Sequence, residues 1–156
     1  MWGDLVAIGV QDSYEIKAFA ADGTLVRIVR RAGDIGQPTR ADQNAYFAER
    51  FADWPDEQRT SALNDVKDMP LVDAYPAFRE IRSDRAGHLW VREYRPSAAG
   101  EAVWTVFDPE GRIQGLVETP AGLRTFEIGE DYILGWVSDE LGVEYVQLWA
   151  LSRGTG

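Results

Sequence analysis

The side chains able to do chemistry in this sequence are few, and none is spaced for it. His88 is the only histidine. A general base needs a nucleophile or a substrate proton within hydrogen-bond reach, and neither a serine–histidine–aspartate set nor a Gly-x-Ser-x-Gly elbow accompanies it. His88 follows a turn, which predicts an exposed residue at the start of a strand. No Gly-x-x-x-x-Gly-Lys phosphate loop and no His-Glu-x-x-His metal helix occurs, and the glycines read as turn glycines. Carboxylates cluster at Asp53-x-x-Asp56-Glu57 and Asp65-x-x-Asp68. Oxygen ligands of a hard cation cluster in this way, but at helical spacing these acids read as solvated faces and caps. The chain has no cysteine, so thiolate chemistry and disulfides are excluded. The sequence therefore assigns no catalytic residue, no metal ligand and no cofactor.

Any ligand site must instead be built by the elements that carry the remaining polar side chains, and these are β-hairpins in repeat. Leu89-Trp90-Val91-Arg92-Glu93-Tyr94 and Tyr132-Ile133-Leu134-Gly135-Trp136-Val137 begin 43 residues apart, and the turn glycines Gly111 and Gly154 share that spacing. A period in the low forties with about four short strands per unit marks a propeller blade. Residues 4–10, 14–20 and 24–30 read as three strands, the last two joined by Asp22-Gly23, a strong hairpin signal. Strands resume at 78–83, 88–94, 103–107 and 112–118, then at 123–128, 132–137 and 143–151. Asp84-Arg85-Ala86-Gly87 and Asp108-Pro109-Glu110-Gly111 supply hairpin loops. Segments 103–107 and 145–149 are nearly continuous hydrophobic runs, the pattern of strands buried on both faces. Trp90, Trp104, Trp136 and Trp149 lie inside strands, where packing between blades accounts for them.

Between the first unit (1–31) and the second (78–120) lies a segment of different character, 32–77; a third unit spans 121–153. Thr39 with Asp42 resembles a capping box. Phe47, Phe51 and Trp54 fall on one helical face. Pro55 suits the first position of a second helix, which would turn Ala62, Leu63, Val66 and Met69 inward. With blade strands labelled a to d, the chain reads b-c-d, insert, a-b-c-d, a-b-c. In such a meander the b–c and d–a connections share one face. The insert is a d–a connection, so it should roof the face carrying loops 11–13, 95–101 and 138–142. Tyr94, Arg95, Glu101, Asp139 and Glu140 would then flank a ligand site, with Trp54 as a docking anchor. The plainer alternative is that the hairpin only covers an apolar edge.

A length of 156 residues is that of one domain with a real core. The net charge of −10 argues against nucleic acid, which needs a basic surface, and against anionic membranes. Met1-Trp2-Gly3-Asp4 lacks the basic region of a secretory signal. No apolar run approaches the roughly 20 residues that span a bilayer, so a soluble chain without membrane insertion is expected, in a compartment the sequence leaves open.

The segments Leu89-Trp90-Val91, Trp104-Thr105-Val106-Phe107-Asp108-Pro109-Glu110-Gly111 and Asp139-Glu140-Leu141-Gly142-Val143-Glu144-Tyr145-Val146 resemble the C-terminal blades of bacterial six-bladed β-propellers, broadly NHL-like and TolB-like. Ser13-Tyr14-Glu15-Ile16 and Asp22-Gly23-Thr24-Leu25 fit the preceding blade. The resemblance implies an all-β fold of propeller-type antiparallel meander blades, about three of them with the first and last incomplete, interrupted by an α-helical hairpin. A six-bladed ring needs roughly 250 residues at this period. One expectation is that two copies pair as a homodimer to complete it; the rival is a piece of a longer propeller. The implied function is a non-catalytic binding or scaffold module for an unidentified protein or small molecule. The alternative is the C-terminal part of an exported, metal-dependent, lactonase-like hydrolase. Against the latter, the only asparagines, Asn44 and Asn64, lie in the insert.

Overall fold

One turn chemistry, used three times, sets the hairpins. At Asp84, Asp108 and Asp139 the aspartate Oδ1 accepts the backbone N–H four residues on (His88 2.8 Å, Arg112 2.8 Å, Val143 2.9 Å). The aspartate N–H in turn donates to the carbonyl of that same residue. The residue three on is glycine each time, with φ of 82°, 86° and 77° at Gly87, Gly111 and Gly142. Only a residue without Cβ takes that conformation at no cost, which is why Asp-x-x-Gly recurs at these three reversals.

The computed structural model describes residues 1–33, 35–96 and 100–153. Among them are three antiparallel meanders and two helices. β1 (Val6–Val10), β2 (Glu15–Phe19) and β3 (Leu25–Arg30) form the first sheet. β4 (Glu80–Ser83), β5 (Leu89–Arg92), β6 (Ala102–Phe107) and β7 (Ile113–Thr119) form the second, and β8 (Arg124–Ile128), β9 (Tyr132–Ser138) and β10 (Glu144–Ala150) the third. β5 and β9 begin at Leu89 and Tyr132, as the repeat predicts. Gly154, the second turn glycine of the repeat, and Ser97, Ala98 and Ala99 of the 95–101 loop lie outside the described residues.

The second sheet is covered on both faces. Leu89, Val91 and Phe107 pack with Tyr14, Ile16, Ala18 and Val29 of the first sheet, and with Trp2 and Phe78. Trp90, Trp104 and Val106 point the other way, onto Leu123, Ile128 and Ile133. All six residues of β6 are buried, as its unbroken apolar run predicts. β10 carries the same kind of run and does not share that fate. Val146 is 73% exposed, Leu148 66% and Trp149 44%. β10 pairs only with β9 and ends its sheet, so no neighbouring sheet covers it. The expected core placement of Trp149 is thereby corrected, and Trp136 is half-buried with the Arg124 guanidinium 5.0 Å above its ring.

In the insert, α1 spans Arg40–Arg50 and α2 spans Asp56–Val66. Thr39 caps α1 with the reciprocal box: its hydroxyl accepts from Asp42 N–H at 3.2 Å, and Asp42 Oδ2 accepts from Thr39 N–H at 2.8 Å. Pro55 is the N-cap of α2 rather than its first helical residue. Phe47 stacks on Phe51 and Phe51 meets Trp54 at a tilt, with centroids 5.8 Å and 4.9 Å apart. The second apolar stripe is weaker than expected, with Ala62, Leu63 and Val66 half-buried and Met69 exposed. The return leg reaches the β1–β2 loop, where Ala77 N–H donates to Gln11 O at 2.7 Å and Gln11 Nε2 to Arg79 O at 2.8 Å.

Candidate functional site

Two charged quartets of equal spacing, Arg79-Glu80-Ile81-Arg82 and Arg92-Glu93-Tyr94-Arg95, meet at one end of the second sheet. β4 and β5 are antiparallel with Glu80 opposite Arg92, and Arg79 N–H donates to Arg92 O at 2.7 Å. Alternation along a strand then puts Glu80, Arg82 and Arg92 on the face toward the third sheet. Gly122, Arg124 and Thr125 approach from that third sheet, and Glu101 stands just before β6. Together these residues enclose a cleft of about 420 Å³.

The carboxylates in the cleft do not neutralise it. Glu80 accepts from Arg82 Nε at 2.6 Å and from Arg92 Nη1 at 3.5 Å. Glu93 is committed to the first sheet. It takes both Nη1 and Nη2 of Arg31 at 2.7 Å, the Thr105 hydroxyl at 2.5 Å and the Tyr14 hydroxyl at 3.2 Å. Burial, with the Glu93 charge beside it, drives the Tyr14 hydroxyl above its ordinary range. Among the described residues, the side chains of Arg79, Arg95 and Glu101 make no hydrogen bond or ion pair. Burial pushes the Arg92 guanidinium down from its ordinary value; Glu80 opposes this, and repulsion from Arg79 and Arg82 adds to it. Thr125 also lines the cleft, and its buried hydroxyl has no hydrogen-bond partner.

Of the residues singled out from sequence, Arg95 and Glu101 line this cleft. Tyr94 turns to its neighbour, an aromatic groove of about 410 Å³ under the insert, where its ring packs at a tilt against Tyr75 with centroids 5.3 Å apart. Tyr75 donates to Asp42, which pushes its hydroxyl up to about 12. Asp139 serves its own turn, accepting from Leu141, Val143 and the Tyr145 hydroxyl. Glu140 is exposed beside it, and neither lines the cleft. Trp54 is 46% exposed at the α1–α2 junction, away from both concavities. Arg79, Arg82, Arg92 and Arg124 were not singled out from sequence. The signal for the first three is the matched Arg-Glu-x-Arg spacing on two strands predicted to pair.

His88 is not the free strand-start residue expected. Its Nδ1 lies 3.0 Å from Asp84 Oδ2, and its ring is half-buried. The Asp84 carboxylate is fully buried and also accepts from Trp90 Nε1 at 3.0 Å and Arg153 Nη2 at 2.7 Å. Arg153 continues to the carbonyls of Gly129 and Glu130. This set ties the second sheet to the third. Among the described residues no three histidine, aspartate or glutamate side chains converge as metal ligands, and no helix is long and apolar enough to cross a membrane. In comparison with known proteins, the chain matches no family model and no curated sequence.

Proposed function

We propose that this chain is a non-catalytic binding and scaffold module of β-propeller type, working as a pair of copies, with its ligand taken at the cleft on the loop face. One observation carries the pairing. The second sheet is covered on both faces, while the first and third each turn an apolar face outward. On the first sheet that face holds Val6, Ile8 and Val10 beside the ion pairs of Glu15 with Lys17 and Arg30; on the third it holds Leu134, Trp136, Val146 and Leu148. Contiguous apolar patches of this kind mark interaction sites. A two-fold axis that lays the first sheet of one copy on the third sheet of the other covers both at once and closes the assembly. Six stacked sheets result, the number that the propeller reading requires.

Light scattering after size exclusion, over a dilution series, tests the pairing. A two-chain mass that persists on dilution, and falls to one chain in Val146→Lys, is expected. A monodisperse single chain, or open-ended aggregation, overturns it.

A further inference from the structure

The cleft carries a charge opposite to that of the molecule. The chain has a net charge of −10, yet its arginines gather here until Arg79 and Arg82 repel Arg92. Like charges held together cost free energy unless something offsets them. Glu80 and Glu93 offset Arg82, Arg92 and Arg31, which leaves Arg79 and Arg95 without an ion-pair partner among the described residues. Each such group presents N–H donors in a rigid fork that matches carboxylate and phosphate oxygens two at a time.

We propose that this cleft binds a small molecule bearing two or more anionic groups, carboxylate or phosphate, gripped by Arg79 and Arg95. A volume of about 420 Å³ lies within the size range of small-molecule sites. The surrounding negative charge repels long polyanions, so a compact ligand that enters the cleft is favoured over nucleic acid. Glu101 is the discordant group: it stands at the cleft with no partner among the described residues and opposes an anion. This inference deepens the binding-module reading and rests on it for the choice of face; it needs no second copy.

The test is calorimetric titration of the full chain with pyrophosphate and, separately, with citrate at matched ionic strength. Saturable binding of at least one is expected, and the tighter of the two tells phosphate from carboxylate chemistry. Arg79→Ala/Arg95→Ala weakens it by at least about tenfold, the effect of losing charged hydrogen bonds. Both side chains are exposed, and neither has a hydrogen-bond or ion-pair partner among the described residues, so folding is not at stake. The charge-matched control Arg50→Ala/Lys67→Ala leaves affinity unchanged, and Glu101→Gln tightens it. No saturable binding of either anion, or equal loss in the control, overturns the proposal. Solution mass read on the same samples separates the two claims. A single chain that binds anion keeps the cleft and removes the pairing; a pair that ignores both anions does the reverse.

Discussion

Asp84→Ala should be among the most damaging single substitutions in the molecule, although Asp84 sits in neither the cleft nor the aromatic groove. Its side chain is fully buried and accepts from the Trp90 indole, the His88 backbone, the His88 ring and Arg153. Removing it strands a buried indole N–H and the Arg153 charge. Breaking a buried, hydrogen-bonded ion pair costs about 3–5 kcal/mol, which in a domain of this size lowers Tm by roughly 6–20 °C. Arg153→Ala should cost less, about 1.5–3 kcal/mol, because its side chain is 30% exposed. The double variant should show coupling of about 0.5–3 kcal/mol in urea unfolding followed by circular dichroism. The acid side gives an independent check. Burial opposes ionisation of Asp84, but the hydrogen bonds from Trp90, His88 and Arg153 outweigh it and hold the carboxyl below its ordinary 3.8. A depressed native pKa stabilises the fold above the unfolded value, and that stabilisation is lost as pH falls through the native one. Wild type should therefore weaken below about pH 4 by a component that Asp84→Ala lacks. A variant within about 1 kcal/mol of wild type, or zero coupling to Arg153, would refute the latch.

Two further outcomes are expected. At Gly135 an added Cβ would lie 2.6 Å from Arg124 O and 2.9 Å from Leu123 Cδ1, so Gly135→Ala should destabilise by about 1–3 kcal/mol through overpacking. Gly115 has open space around it, so Gly115→Ala should stabilise by roughly 0.5 kcal/mol; thermal melts that reverse or equalise the two signs would defeat that packing account. Burial opposes ionisation of Asp108 as well, but hydrogen bonds and the charge of Arg112 outweigh it and hold the carboxyl at about 2. Its contribution is therefore present above its ordinary value and fades as pH falls toward 2. Carboxyl titration by NMR should show the Asp108 pKa rising in Arg112→Ala, and an unmoved value would remove Arg112 as a cause.

Strands and turns were legible because their signals are local. Asp-x-x-Gly with a positive-φ glycine reverses the chain at Asp84, Asp108 and Asp139 whatever surrounds it. Burial was legible only where the fold supplies a neighbour. β6 and β10 carry similar apolar runs, yet β6 lies between two sheets and β10 ends its own. Nothing within the run distinguishes them, so Trp104 was placed correctly and Trp149 was not. His88 was misread for a related reason: its ring meets Asp84 four residues earlier, but the Arg153 that completes the set lies 65 residues from it. Of the residues that the sequence placed on the loop face or its roof, Arg95 and Glu101 line the cleft, whereas Asp139, Glu140 and Trp54 do not. The remaining arginines of the cleft were not legible, because a charge at a strand end reads as solvated until its cross-strand partner is known.

The claim that two copies cover each other's outer sheets has a direct test, helped by the absence of cysteine from the sequence. Ile8→Cys and Val146→Cys each place a thiol on an exposed outward face. The two variants are mixed, allowed to exchange and treated with a short bis-maleimide. A two-chain product joining Ile8→Cys of one copy to Val146→Cys of the other, above the level either variant gives alone, is predicted. Its absence would contradict the paired arrangement, whatever mass the protein shows in solution.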